Sequence, residues 1–291
     1  MSEYRAPVTD IAFVLEEHAR IGDIAALPGF EEASPDLVQA ILEGAGTLTT
    51  EAVAPLNWPG DRQGTRVVDR QVVQADGFRE AWWQYVEGGW NSLPFPVAYG
   101  GQGMPTALAT AVTEMVQTAS IAFGLCPLLT QGAIDALLMH ASEELKQTYL
   151  PKLISGEWTG TMNLTEPQAG SDLSVVAARA ERDGDRYRIA GTKIYINWGD
   201  HGMTDNVVHL VLARLPDAPP GVKGISLFLV PKYLVNDDGG IGARNDLYPV
   251  SVEHKLGINA SPTCVMSFGE NGGARGWLVG RENNGLACMF T

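Results

Sequence analysis

The pattern of apolar residues changes its period near residue 156, and that change limits the architectures open to the chain more than any other feature. Before it, apolar side chains recur at helical spacing. Ser34 followed by Pro35 reads as an N-cap with proline in the first helical position, after which Leu37, Val38, Ile41, Leu42 and Ala45 share one face. Asp76-Gly77-Phe78 opens a second amphipathic helix through Trp82, Trp83, Tyr85 and Val86, and Ser142 caps another that runs to Leu153. Residues 105–121 and 128–140 are apolar nearly all round, which predicts buried helices, with the tryptophans as core anchors. Beyond Gly156 the runs are short and β-rich: 175–178, 187–189, 207–212 and 225–230, separated by Asp183-Gly184-Asp185 and Pro219-Pro220-Gly221. A helical block followed by a strand block predicts an α+β chain. Its N-terminal all-helical domain covers 1–156 and its antiparallel, barrel-like β domain covers 157–280, and an alternating βαβ fold is excluded.

Residues 281–291 read as the start of a further helical unit. Glu282-Asn283-Asn284-Gly285 has a helix-start composition, and the apolar run Leu286 to Phe290 stops at Thr291, which leaves its side chains without a partner. The expectation is a C-terminal helical domain that is missing through truncation, proteolysis or division of the protein into two chains.

An apolar fraction of 45% in 291 residues excludes a disordered chain. The formal charge of −14, from 34 acidic and 20 basic residues, repels phosphate backbones and anionic lipid, so nucleic acid is not an expected partner. A small polyanionic ligand would need local basic groups or backbone N–H groups. Cys126, Cys264 and Cys288 are odd in number and widely spaced, which predicts buried free thiols in a reducing cytosol. No apolar run reaches the roughly 18 residues of a membrane span, and MSEYRAPVTD lacks the regions of a signal peptide. The predicted location is cytoplasmic. The five histidines lack metal-site spacing, so no metal is expected.

The strongest local signal is Met162-Asn163-Leu164-Thr165-Glu166-Pro167-Gln168-Ala169-Gly170-Ser171-Asp172. A strand closing on Thr-Glu-Pro and entering Ala-Gly-Ser-Asp offers hydroxyls and backbone N–H groups, with Gly170 permitting close approach. From the residues alone, an ordinary strand-to-turn link in which Asp172 satisfies its own backbone is the favoured reading.

The segment closely resembles the signature of the acyl-CoA dehydrogenase family. Gly191-Thr192-Lys193-Ile194-Tyr195-Ile196-Asn197 is similar to that family's Gly-x-Lys-x-aromatic-Ile-Thr/Ser-Asn strand. Tyr99-Gly100-Gly101-Gln102-Gly103, Tyr149-Leu150-Pro151 with Gly156-Glu157, and Lys255-Leu256-Gly257 with Ser261-Pro262-Thr263 resemble further family segments, so the resemblance spans about residues 90–290. The stretch from Tyr4 to Glu17 is similar to an extension of a large bacterial subfamily that includes 3-methylmercaptopropionyl-CoA and long-chain acyl-CoA dehydrogenases.

The resemblance implies FAD as cofactor. Met162, Leu164 and Thr165 would border the flavin ring, Gly170 and Ser171 would lie toward its phosphates and the CoA path, and Tyr195, Ile196 and Asn197 would flank the ring on the other side. Asn197 departs from the family's hydroxyl near flavin N5, although an amide N–H can also donate there. Tyr195 replaces a common tryptophan, and Glu166 is expected to be structural. The apolar wall from Phe123 to Leu129 resembles the part that meets the acyl chain, with plain core packing the alternative.

The activity implied is removal of the proton alpha to an acyl-CoA thioester and transfer of the beta hydride to the flavin, which yields the trans-2-enoyl-CoA. The glutamate base is expected beyond Thr291, so no catalytic residue is named in this chain. An electron-transfer flavoprotein or similar acceptor is implied. So is either a homo-oligomer (dimer or tetramer) or a partner chain carrying the C-terminal domain. An acyl-CoA oxidase, a non-catalytic flavin- or acyl-CoA-binding subunit and a DNA-associated relative of the fold are the alternatives.

Overall fold

A computed structural model describes residues 4–290; the first three residues of the N-terminal reading, and Thr291 at the other end, lie outside the described residues. The helical half contains α1 (Val8–Phe13), α2 (Ile21–Ala25), α3 (Pro35–Leu48), α4 (Ala54–Gln63), α5 (Phe78–Glu87), α6 (Thr106–Ala119), α7 (Ile121–His140) and α8 (Glu143–Ser155). Serine caps start three of them: the hydroxyls of Ser34, Ser120 and Ser142 accept from the N–H groups of Leu37, Phe123 and Leu145. Gly156, at φ +86°, ends α8 in the left-handed conformation that a glycine adopts without strain.

The second half contains β3 (Trp158–Asn163), β4 (Arg179–Asp183), β5 (Arg186–Asn197), β6 (Asn206–Arg214), β7 (Ile225–Pro231), β8 (Tyr233–Val235), β9 (Ile241–Arg244), β10 (Leu247–Val252), β11 (Thr263–Phe268) and β12 (Ala274–Val279), then α9 (Gly285–Met289). Its main sheet runs β10-β11-β5-β12-β7-β6-β3, and β4 bridges β5 to β6. The enclosed core holds Ile189, Ile196, Val211, Phe228, Val230, Cys264, Met266 and Phe268.

Four expectations are corrected. The sheet is not wholly antiparallel: β3 pairs in parallel with β6, with Trp158 opposite Asn206 and Asn163 opposite Val211. Such a strand is covered on both faces, and every residue of β6 from Asn206 to Ala213 is buried. Residues 175–178 are not a strand, because the N–H groups of Ala177 and Ala178 bond the Glu166 carboxylate instead of a neighbouring strand. The apolar run at 286–290 does have a partner: Cys288 and Met289 are buried with Leu227 and Leu229 of β7, Leu286 is half-buried, and Ala287 and Phe290 are exposed. Finally, α7 is 20 residues long and apolar enough by length and composition to cross a membrane. Thr130, Gln131 and Asp135 interrupt the run, which hid it from a search for unbroken apolar sequence. Its apolarity serves core packing: Gly160 of β3 lets α7 come so close that an added Cβ would lie 2.6 Å from the Ala133 methyl.

Sequence reasoning also missed the hairpin β1 (Arg66–Val68) and β2 (Gln71–Val73). Its turn places Asp69 and Arg70 at φ 48° and 60° without the glycine that normally marks such a turn. The hairpin fastens the helical half to the sheet. Val72 N–H donates to Asp200 Oδ2 at 2.8 Å, and Asp200 Oδ1 pairs with the buried Lys232 ammonium at 2.6 Å. Trp198 makes the second fastening: its indole N–H donates to Ala122 O at 3.0 Å, and its ring lies 6.1 Å from that of Phe78.

Phe123 sits inside this aromatic group, 6.0–6.2 Å from Tyr85, Phe78 and Trp82, and is fully buried. Phe123→Ala is expected to lower stability by about 3–5 kcal/mol in urea unfolding, the cost of a large core cavity. A loss below about 1 kcal/mol would reassign Phe123 to a ligand-facing wall.

Two histidines lie wholly inside. Met203 N–H donates to His201 Nδ1, so the His201 proton sits on Nε2, facing Thr159 Oγ1 at 2.8 Å; His209 Nδ1 bonds Thr161 Oγ1 at 2.7 Å. Burial, with the Lys232 charge, pushes both imidazoles down to about 3. An unfolded chain protonates histidine below about pH 6.5 while the folded chain refuses those protons, so stability falls as pH drops from about 6.5 toward 3. The urea midpoint is expected to be lower at pH 5 than at pH 7.5, and His209→Gln should weaken that dependence.

Candidate functional site

The two signature segments lie 29 residues apart in sequence, from Leu164 to Lys193, and meet at the end of β3. Ile194 N–H donates to Thr165 O at 2.9 Å, and the Lys193 ammonium donates to Leu164 O at 2.9 Å. Met162, Leu164 and Thr165 are half-buried there, Met162 and Leu164 packing on the core shared with the helices.

Glu166 is the knot of the loop that follows. Its carboxylate accepts from Lys193 Nζ at 2.7 Å, Ala177 N at 2.7 Å, Ala178 N at 3.0 Å and Gln168 Nε2 at 2.6 Å. Lys193 and Glu166 are both buried. Burial drives the Glu166 carboxyl up, but the Lys193 charge and the two backbone amides hold it below the ordinary carboxylate value. Burial lowers Lys193, and Glu166 opposes that shift without cancelling it. The structural role expected for Glu166 has this geometry as its basis.

From this knot the chain projects Gly170 and Ser171 into solvent. A Cβ built on Gly170 meets nothing within 4 Å, so the position is open space on the protein side. Beyond the loop, Ser174, Ala177, Arg179, Arg214 and Gly221 line a crevice of about 700 Å³. The Arg214 guanidinium is anchored there by Val176 O at 2.9 Å and Ser174 O at 2.8 Å, which places fixed positive charge within an acidic protein.

On β5, Ile196 pairs with Cys264 but Lys193 pairs with Met266, so Ile194 and Tyr195 together oppose Val265 in a β-bulge. Tyr195 takes φ +61° and is 59% exposed. Ile196 points into the barrel core, so only its backbone is available to a ligand. Asn197 is half-buried, and Thr263 Oγ1 donates to its Oδ1 at 2.7 Å from the paired position on β11. That bond fixes the amide plane and leaves Nδ2 as a donor with no partner among the described residues. The apolar wall divides: Phe123, Cys126 and Pro127 are core, and Leu128 is exposed.

These residues fit a flat, mainly uncharged ring system. The two segments joined by the Ile194–Thr165 and Lys193–Leu164 bonds carry a held-out aromatic face, an oriented and unused amide donor, half-buried apolar side chains and an open glycine, and the charged pair that links them is internally neutralised. Lys193 and Thr263 carry this arrangement but were given no role from sequence, although both stand inside recognised segments. Thr263→Val is expected to cost about 0.5–1.5 kcal/mol in urea unfolding. It should also raise the exchange rate of the Asn197 side-chain amide in NMR, and an unchanged rate would show that Thr263 does not orient that amide.

Residues 61–157 match the acyl-CoA dehydrogenase N-terminal domain, and residues 161–270 match the acyl-CoA dehydrogenase middle domain. The chain is 50% identical to the 3-methylmercaptopropionyl-CoA dehydrogenase of Ruegeria pomeroyi over 99% of its own length and 48% of that protein. It is 36% identical to a butyryl-CoA dehydrogenase of Syntrophomonas wolfei over 99% of its own length and 49% of that protein. The chain thus spans about half the length of the curated relatives it matches. Its fold is similar to the solved butyryl-CoA dehydrogenase of Megasphaera elsdenii, with a TM-score of 0.69 and 22% identity over 87% of this chain and 61% of that one. Signatures, fold and relatives agree: the chain belongs to the acyl-CoA dehydrogenase family.

Proposed function

We propose that the protein containing this chain is an FAD-dependent acyl-CoA dehydrogenase that converts an acyl-CoA thioester to the trans-2-enoyl-CoA. The observation that carries this reading is the meeting of the two signature segments through the Ile194–Thr165 and Lys193–Leu164 hydrogen bonds, beside an unused Asn197 amide donor. In this reading residues 1–156 are the N-terminal helical domain, 157–280 the middle β domain and 281–291 the start of a further helical domain. Assembly as a homo-oligomer, an acceptor of the electron-transfer flavoprotein type and a cytoplasmic location complete the proposal. The three cysteines are free and buried, in keeping with that location.

FAD, when bound, supplies the hydride acceptor. Met162, Leu164 and Thr165 would line one edge of its place, and Asn197 Nδ2 would donate a hydrogen bond from the other, where the exposed Tyr195 ring would offer an aromatic face. Gly170 and Ser171 leave room for phosphate groups, and Arg179 and Arg214 supply the local positive charge that a polyanionic CoA ester requires. The base that takes the alpha proton is assigned to a part of the protein outside these 291 residues.

Full-length protein is expected to bleach its flavin absorbance when an acyl-CoA ester is added without oxygen, with 3-methylmercaptopropionyl-CoA and butyryl-CoA among the first esters tried. Bound flavin that no ester reduces would instead indicate a binding subunit. Gly170→Trp should reduce FAD content at least about tenfold with an unchanged far-UV circular dichroism spectrum, because the added side chain meets solvent and not protein. Unchanged FAD content would remove Gly170 from the site.

A further inference from the structure

We propose that Glu166 and Lys193 act together as positioning residues for the flavin site, as a buried and net-neutral clamp whose charge balance sets the environment in which the cofactor is reduced. The inference rests on the FAD reading above and adds a role for two residues behind the ring.

The geometry joins three pieces of chain at one ion pair. Lys193 Nζ reaches the end of β3 through Leu164 O, and the carboxylate through Glu166 Oε1 at 2.7 Å. Glu166 in turn gathers Ala177 and Ala178 at the far end of the loop that carries Gly170 and Ser171. The next residue after Lys193, Ile194, holds Thr165 and enters the bulge that projects Tyr195. Every residue assigned to the ring therefore lies within five residues along the chain of one member of the pair.

Among the described residues the two charges have only each other. Glu166 is the one charged group that acts on Lys193, and Lys193 the one that acts on Glu166. The other groups around them are uncharged: Leu164 just past β3, Gln168, Ala177 and Ala178 from the loop, and Met266 opposite Lys193 on β11. In so dry a place a single uncompensated charge is felt strongly. Reduction adds negative charge to the flavin, so a lone ammonium behind the ring favours the reduced form and a lone carboxylate opposes it.

The test is the midpoint potential of bound FAD in the full-length protein, compared with the unaltered protein from about pH 5 to about pH 10, a range chosen because lone buried groups titrate within it. Glu166→Gln leaves the ammonium, so its potential should lie above the reference at low pH and rejoin it once the lysine loses its proton. Lys193→Met leaves the carboxylate, so its potential should lie below the reference at high pH and rejoin it once the carboxyl is protonated. The double variant removes both charges. It should follow the reference at every pH and hold FAD about tenfold less tightly, because the bond to Leu164 O is gone.

Offsets of the same sign in both single variants, or offsets independent of pH, reduce the pair to ordinary fold support and overturn the proposal. If a single variant does not fold, the double variant decides: a pH-dependent offset from the reference, or undiminished FAD retention, overturns the proposal. Failure of the unaltered protein to take up FAD is a separate outcome that overturns the FAD reading and this inference with it.

Discussion

An ammonium and a carboxylate removed from water must satisfy each other and every remaining lone pair, or the fold that buries them is lost. Lys193 and Glu166 meet that condition: the carboxylate accepts four hydrogen bonds, and the ammonium bridges it to a strand-end carbonyl. The path of the chain from 164 to 178 follows from this one contact. Without the carboxylate, Ala177 and Ala178 would lose their acceptor, and the loop would have no reason to return across the end of β3. Such a pair adds little net stability compared with apolar residues of the same size, so its value lies in the single arrangement it permits.

The helical half and the sheet are joined by a comparable economy of contacts. The Trp198 indole reaches into the aromatic group of α5 and α7, and Asp200, two residues further on, holds the β1–β2 hairpin while paired with Lys232. Both anchors lie just past Asn197 in sequence. The stretch that carries the free amide donor is thus pinned from the sheet side by Thr263 and from the helical side by Trp198, and the donor keeps its direction because its neighbours cannot move independently.

What sequence could reveal follows from where the controlling interaction acts. Helix starts at Ser34, Gly77 and Ser142 were legible because capping is local, and the strands of the sheet core were legible from their apolar runs. The 175–178 run was misread because its β-rich composition is local while the Glu166 bonds that bend it come from a distance. The hairpin at 66–73 was missed because its turn uses Asp69 and Arg70 in place of glycine. Of the residues proposed for the site, the motifs name Gly170, Tyr195, Ile196 and Asn197 alike, but the inward direction of Ile196 depends on an extra residue in β5 that only the pairing with β11 exposes.

That extra residue reconciles two demands on one short strand. In a regular strand Lys193, Tyr195 and Asn197 would share a face and Ile196 would take the other, so the lysine could not enter the barrel beside Glu166 while the tyrosine faced solvent. The bulge resets the alternation: Lys193 and Ile196 both point inward, and Tyr195 is held out. The cost is a tyrosine at φ +61°, on the order of 1–2 kcal/mol for an L residue. The Ile194–Thr165 bond and the buried Lys193 lie on one side of this strained residue, and the Thr263–Asn197 bond on the other, so the backbone has no relaxed alternative that preserves all three. Strain at Tyr195 is therefore the consequence of placing a buried charge clamp and an exposed aromatic face two residues apart on the same strand.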